Sequence, residues 1–458
     1  MPHCPRVAYE RLPSNTLRRR ANIGHTACLV GTILKGAALV EFEPPSVEVA
    51  DLRIEAGQIA ARGPHLEPEE GDEVIVLEGK LVVPGLVTAH HHLYATLGRG
   101  MPGARARNGK GADFESLQTS ERWRLQDALD GDAVQSAATA GALDALFAGT
   151  TTIFDQHASP NAIEGSLVRV ARGVNEVGLR AVLSYEVSDR SGALAREEGI
   201  AESLSFQKKA RGRFRGMIGA HACSMLSQDA LQGLQEALHA TGAPLHITLA
   251  EDPADERLSK ERYGEAPLVR LQRYDLLSPR TLAAHVVHLS WPELSQLISA
   301  GAWIVHSPRA NMQAQVGYAP AGKFGARATL GTAWVSPDLF AEAQAGHQRA
   351  LEAGQPIAAL RYLANGHRIA SDVFGESIGP LRPGSVADVV VLDYRSPTPL
   401  TADNLNDHVV HALGARHVES VMVDGVWRLW ARRPLSVTAE GAYQHAREAA
   451  KAVWARID

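Results

Sequence analysis

Leu81-Val-Val-Pro-Gly-Leu-Val-Thr-Ala-His-His-His-Leu-Tyr94 decides how the rest of this chain is read. The stretch opens as an apolar, β-branched run, the pattern of a buried strand. Pro84 and Gly85 interrupt it, and a second short apolar piece, Leu86 to Ala89, leads into His90, His91 and His92. Alternate side chains of an extended strand share a face, so His90 and His92 point one way and His91 the other. Two imidazoles on one face at the end of a buried strand suit zinc, iron or nickel. A polar strand end that happens to hold three histidines is the plainer alternative.

Outward from this stretch, the chain runs to 458 residues, too many for one ordinary core, which predicts two or three domains. A hydrophobic content of 45% and a charged content of 21% are those of an ordinary globular protein. The net charge of -5 argues against nucleic acid or an anionic membrane as partner. No apolar run has the length of a membrane-spanning helix. Cys4, Cys28 and Cys223 show neither a pairing pattern nor metal-ligand spacing, which reads as a reducing cytoplasm. Residues 1–24 hold Arg6, Arg11, Arg18, Arg19 and Arg20 against Glu10 alone, with no signal-peptide core, and read as a flexible basic tail.

Short strands bounded by Gly, Pro and acidic turns are expected at Ala27 to Leu34, Val47 to Ile54, Gln58 to Ala61 and Glu73 to Leu77. The pattern returns late, at Ala387 to Asp393 and in a hairpin over Val418 to Trp430 that turns at Asp424-Gly425. Neither block is large enough for a good core alone. Between them, strands and helices alternate: helix Gln126 to Ala148, strand Thr151 to Phe154, helix Asn161 to Val177, strand Arg180 to Tyr185. Strand Gly216 to Ala220, helix Gln228 to Thr241 and strand Leu245 to Leu249 follow, then strands Thr281 to Val286 and Trp303 to Val305 around helix Trp291 to Ile298. Such alternation argues for a parallel sheet closed as a (β/α)8 barrel. Ala439 to Ile457 reads as a terminal amphipathic helix that packs on the rest.

Pro84-Gly85-Leu86-Val87 running into His90-x-His92 resembles the first barrel strand of the amidohydrolase superfamily. The resemblance continues in Gly149-Thr-Thr-Thr-Ile-Phe-Asp155-Gln-His157-Ala-Ser-Pro160, Val305-His306-Ser-Pro308-Arg309-Ala-Asn311-Met312, Val316-Gly-Tyr-Ala-Pro320 and Pro383-Gly384-Ser-Val-Ala387-Asp388. Each piece is short, but their order and intervals are specific. The chain resembles most the aminohydrolase/chlorohydrolase branch that includes cytosine-deaminase-like enzymes, and within it the SsnA-type aminohydrolases. The resemblance implies a TIM barrel with a composite β-sandwich formed by both chain ends. The implied division is a tail over 1–24, sandwich halves over 25–86 and 370–436, the catalytic barrel over 87–369, and a terminal helix over 437–458.

The family pattern holds a metal with two first-strand histidines, a third histidine and a late aspartate, and handles water and protons with a fourth histidine and a glutamate. Carried over, His90 and His92 are the first pair, and His92 is also counted with the catalytic groups. Pro244-Leu-His246-Ile-Thr248-Leu-Ala-Glu251-Asp252 supplies the glutamate, Glu251, but Thr248 stands where the third histidine belongs. His246 lies two residues earlier on the same face, nearly ~7 Å further down the strand. His285 matches the water-orienting histidine, and His288 belongs to the loop wall. Leu330-Gly-Thr-Ala333 puts an alanine where the family has its aspartate, with Asp338 five residues downstream as a weak replacement. His157, Trp123, His246, Arg309 and Asn311 are candidate substrate-binding residues. Plainer roles for them are a loop histidine, a packed aromatic, a core histidine and residues that tie a loop.

Three readings of function stay open. One is a hydrolase of a C–N bond in a small cyclic or heteroaromatic molecule, with a degenerate metal site that binds zinc or iron weakly or no metal at all. Another is a metal-independent His/Glu acid–base enzyme on the same fold, catalysing a hydrolysis, dehydration, isomerisation or cyclisation. The third is an inactive homologue that binds a ligand or partner. The expected partner is a small molecule, with a homodimer also allowed. Glu251, at a barrel strand end under closing loops, is expected to have a raised pKa.

Overall fold

The computed structural model describes residues 31–101 and 118–457. The basic tail, Cys4, Cys28 and the start of the strand expected at Ala27 to Leu34 lie outside them. Eight parallel strands form the central barrel: β1 (Leu86–His91), β2 (Thr150–His157), β3 (Arg180–Val187), β4 (Ile218–Ala220), β5 (Leu245–Leu249), β6 (Thr281–His285), β7 (Trp303–His306) and β8 (Ala328–Leu330). Each pairs in parallel with the next in chain order. Closure comes from the three residues after β8. The N–H groups of Thr332 and Ala333 both donate to His90 O, and His92 N–H donates to Ala333 O. Gly331 makes this approach possible. A Cβ there would lie 2.6 Å from Val305 Cγ1 and 2.9 Å from His90 Cβ.

The strands are buried along their lengths, as expected where helices cover a parallel sheet. The helix expected over Gln126 to Ala148 is two helices, Trp123–Ala128 and Gly131–Phe147. They part because Asp130 turns out of the helix to cap the second, its side chain accepting from Ala133 N–H at 2.8 Å. Helix Gln228–Thr241, strand Leu245–Leu249 and helix Ala439–Ile457 have the expected bounds. Helices Ala193–Lys209, Leu339–Glu352 and Ala359–Phe374 were not anticipated.

Both chain ends build the second sheet. Its order begins with strands Arg433–Pro434, Val426–Trp430, Val418–Val423 and Val389–Leu392. It continues through Leu81–Pro84, Thr32–Phe42, Pro45–Glu55 and Gln58–Gly63, with Glu73–Val76 also on Thr32–Phe42. The central pairing joins early to late: Leu81 to Pro84 lies antiparallel to Leu392 to Val389. The far edge curls back, since Ile59 N–H donates to Ser385 O and Ala387 N–H to Gly57 O. A core of Leu34, Leu39, Leu52, Ile54, Ile59, Val82, Val389, Val391 and Met422 therefore draws on both ends. The Asp388 motif ties this sheet to the barrel. Asp388 pairs with buried Arg180 at the start of β3 (3.3 Å) and accepts Asp424 N–H at the hairpin turn (2.7 Å).

The terminal helix docks by its polar tips as well as its apolar face. Trp454 Nε1–H donates to Leu97 O at 2.8 Å, and Tyr443 O–H donates to Asp144 at 2.6 Å. It thereby braces Leu93–Gly98, the turn that follows the three histidines. No helix among the described residues is long and apolar enough to cross a membrane.

Candidate active site

The C-terminal ends of the strands converge on a cluster of imidazoles. His90 and His92 do share a face: their rings are 4.8 Å apart, edge to face, and His285 of β6 is 5.2 Å from His90. Burial pushes both first-strand imidazoles well below the usual range, with neighbouring imidazoles adding to it. They are neutral, so their tautomers decide what they do. His92 Nδ1 is 2.7 Å from Gln156 O, an atom that only accepts, so Nδ1 carries the proton and Nε2 a lone pair. His90 Nε2 is buried without a partner. His91, on the other face, meets the Thr332 hydroxyl at 2.9 Å.

His246 does not reach the pocket. It sits beneath His90, and its Nε2 meets His90 Nδ1 at 2.9 Å. That nitrogen is spent on the hydrogen bond, which corrects the reading of His246 as a substrate contact or replacement ligand. β5 is regular, with no bulge to bring it forward. Thr248 holds Gln156 Oε1 at 3.4 Å, and Ala333 offers only a methyl group. Asp338 caps helix Leu339–Glu352 by accepting from Ala341 N–H, which removes it as a ligand. Among the described residues no group of three or more His, Cys, Asp or Glu side chains is placed to hold a metal ion.

Glu251 is buried beyond the end of β5. Its Oε1 accepts from Arg122 Nη1 at 3.2 Å and lies 3.9 Å from His285 Nδ1. Burial alone raises this carboxyl, but the charges of His285 and Arg122 and the Arg122 hydrogen bond outweigh it and hold it below the usual value. The expected raised pKa is thus reversed. The causes are His285 and Arg122, the second a residue adjacent to Trp123 in the chain but not singled out from sequence. Its guanidinium also lies 4.7 Å over the Trp334 ring.

Asn311 is committed to His285: Nδ1 of the imidazole and Oδ1 of the amide are 2.7 Å apart. With the amide oxygen as acceptor, His285 Nδ1 carries a proton and Nε2 is left for chemistry. His285, the last residue of β6, and Ala333, three residues beyond β8, have φ of +73° and +41°, left-handed values that L residues rarely adopt. Arg309 braces a loop: Nε donates to buried Glu342 at 2.9 Å, and Nη1 and Nη2 to Ser336. Its donors are turned from the pocket, a correction to its reading as a substrate contact. His157 is also corrected. It is buried between Tyr94 and Tyr185 with Nε2 on the Ser159 hydroxyl at 2.9 Å, and burial pushes it down to about 3. His288 joins the loop wall through Val316 O, as expected.

Trp123 lines a cavity of about 270 Å³ together with Glu251, Asp252 and His221. Its indole Nε1 is buried without a partner among the described residues. A second cavity, about 570 Å³, lies on the other side of Arg122 and includes His92, Arg99 and Trp334. Two groups beside Glu251 were missed. Burial drives the Glu186 carboxyl at the end of β3 up to about 8. His221, after β4, accepts Ala222 N–H on Nδ1 at 2.6 Å, so its Nε2–H faces Glu186 Oε1 at 3.6 Å. Burial lowers His221 to about 4. The signal was a lone acid and a lone histidine, each closing a short apolar strand.

The amidohydrolase family model matches residues 81–428, more than half of the chain. The 5-methylthioadenosine/S-adenosylhomocysteine deaminase of Desulforudis audaxviator is 30% identical, over 88% of this chain and 94% of its own. The 5'-deoxyadenosine deaminase of Methanosarcina mazei is 28% identical over 93% of this chain and 99% of its own. Among solved structures, a zinc-bound adenosine deaminase from Xanthomonas campestris superposes with a TM-score of 0.81 at 20% identity, covering 93% of this chain and 98% of that one. The zinc complex of atrazine chlorohydrolase from Arthrobacter aurescens gives 0.78 at 19%, over 92% and 100%.

Proposed function

This chain belongs to the amidohydrolase family and is a hydrolase of C–N bonds other than peptide bonds, and we propose that it removes an amino group from a small heteroaromatic molecule with residues of its own in place of a full metal site. The amino-substituted purines named for its relatives set the substrate class. The observation that carries the reading is the split between two buried carboxyls: Glu251 is held low by His285 and Arg122, whereas Glu186 is driven up to about 8. The two carboxyls line neighbouring cavities that share His221, and titratable groups pushed apart in this way assign base and acid sides.

In this reading neutral His285 takes the proton of the attacking water at Nε2, and the imidazolium it becomes is the charge that holds Glu251 low. Asn311 holds the tautomer, and ionised Glu251 stabilises the imidazolium, as a carboxylate does behind a catalytic histidine. Protonated Glu186, with His221 beside it, supplies the proton that the departing nitrogen needs. The water oxygen bonds to carbon, the C–N bond breaks, and the amine leaves with that proton. His285 returns its proton through solvent to Glu186. Trp123 stacks on the ring, and its free indole N–H donates to a ring acceptor. His90 Nε2 and His92 Nε2 hold a divalent metal weakly if at all.

The test is ammonia release from a panel of aminopurines, aminopterins and aminotriazines. The reading expects release from at least one, and loss by roughly 10²–10⁴-fold in Glu251→Gln. Turnover of a panel member that survives Glu251→Gln unchanged overturns the assigned chemistry.

A further inference from the structure

At the opposite, N-terminal mouth of the barrel lies a cavity of about 420 Å³. Its walls are the starts of β4 to β8 and the last turns of helix Ala359–Phe374. Its floor is apolar, with Met217, Leu282, Trp303 and Val373. Three guanidinium groups line it: Arg215, Arg280 and Arg327. Against them stands one carboxylate in the lining, Asp372, 3.7 Å from Arg327 and 60% exposed.

None of the three arginines is consumed by a buried carboxylate. Arg215 donates to the carbonyls of Gly212, Phe214 and Phe374 and stacks over the Phe374 ring. Arg327 stacks 4.3 Å over Trp303 and donates to Pro279 O, and its Nε is buried with no partner. Arg280 is exposed at the rim, with no carboxylate partner for its guanidinium among the described residues. Charge of one sign in a concave site with low-dielectric walls concentrates anions. Guanidinium groups also match a planar carboxylate two bonds at a time, and shed water more readily than an ammonium.

We propose that this cavity is a second ligand site, for a small aromatic carboxylate. The carboxylate lies among Arg215, Arg280 and Arg327, and the ring covers the apolar floor beside Trp303. A cavity of this size falls within the ~300–1,000 Å³ of small-molecule sites. An inorganic anion alone would satisfy the charges and leave the floor wet, which is why an aromatic body is specified. The site is separate from the catalytic mouth, because the five-residue strands β5 and β6 between them span ~16 Å at ~3.3 Å per residue. The proposal stands independently of the deamination reading.

The experiment is calorimetric titration of the full chain with benzoate, and separately with inorganic phosphate. Saturable benzoate binding is expected, tighter than phosphate. Arg280→Glu should weaken benzoate roughly tenfold or more, since it reverses a charge at the rim. Arg280 is exposed and its guanidinium bonds no other side chain among the described residues, so this variant should keep the wild-type melting temperature. Trp303→Phe, which keeps the packing, should weaken benzoate and leave phosphate unchanged. Glu251→Gln, at the other mouth, should leave both unchanged. Absence of saturation, equal binding of phosphate, indifference to Arg280→Glu or sensitivity to Glu251→Gln would each overturn the proposal.

Discussion

Replacing Arg122 by methionine should reverse how one carboxyl responds to pH. The pair with Glu251 is buried, with side chains only 6% and 5% exposed and 3.2 Å between Nη1 and Oε1. At that distance and an effective dielectric of about 20, the attraction is about 5 kcal/mol. Methionine keeps the stem packed against Trp334 and removes the charge. Breaking a buried pair by deleting one partner costs roughly 3–5 kcal/mol. Proton uptake by Glu251 should hold the loss to the lower end, about 3 kcal/mol, or roughly 3 °C in melting temperature. In the wild type Glu251 is held below its ordinary value. Its stabilisation is therefore present above about pH 4.5 and lost as pH falls through the folded value. Without Arg122 burial dominates and the folded value rises. The contribution is then present at low pH and lost as pH rises through the new value. The melting-temperature deficit of Arg122→Met should be largest near pH 8 and shrink toward pH 5. Asp155 titrates alike in both proteins and cancels in the difference, whereas Glu186, which the Arg122 charge holds down, rises further in the variant and adds to the deficit at high pH. Adding Glu251→Gln should recover most of the loss, since a neutral pair replaces an orphaned charge. Scanning fluorimetry over this range reads all three proteins. A deficit that does not change with pH, or a double variant less stable than Arg122→Met, would refute the reasoning.

Glu186→Gln should flatten the pH dependence of wild-type stability. A carboxyl raised to about 8 contributes stability at low pH that is lost as pH rises through that value, so the wild-type melting temperature should fall toward pH 8 while the variant changes less. Asn311→Leu should release the His285 ring, and ¹⁵N-histidine spectra should show loss of the single Nδ1–H tautomer that Asn311 Oδ1 selects. A chain starting at Gly79 should aggregate, because Leu81–Pro84 would lose Thr32–Phe42 and the shared core would lose Leu34, Leu39, Leu52 and Ile54. A soluble, monodisperse truncation that melts with the full chain would contradict that.

The barrel was legible because its strands are short apolar runs ending at chemistry-bearing residues, and strand alternation brought His90 and His92 to one face. Helix Gln228–Thr241 was legible for the same kind of reason, with Ser227 as cap and Gly242 as stop. The composite sheet was legible only as two undersized blocks that needed each other. Arg122, Glu186 and His221 were not, because their meaning depends on which strand ends meet across the barrel, and 129 positions separate Arg122 from Glu251. The roles of Arg309 and Asn311 depended on partners too. Glu342 claims one and His285 the other, and neither distance is written in local sequence. Glu251 is buried at a strand end as the pattern implied, but its pKa was expected raised and is lowered, since burial was visible in the pattern and the countercharge was not.

The central claim is that this chain performs C–N hydrolysis without a complete metal site, and metal content tests it most directly. Elemental analysis of protein purified without chelator should find well under one zinc or iron per chain. Thr248→His with Ala333→Asp should raise that toward one, and each single change should do less, because ligands act as a set. The positive φ of Ala333 suits the introduced aspartate, a residue enriched in that region. A wild-type protein that holds one metal per chain through chelator treatment would contradict the claim.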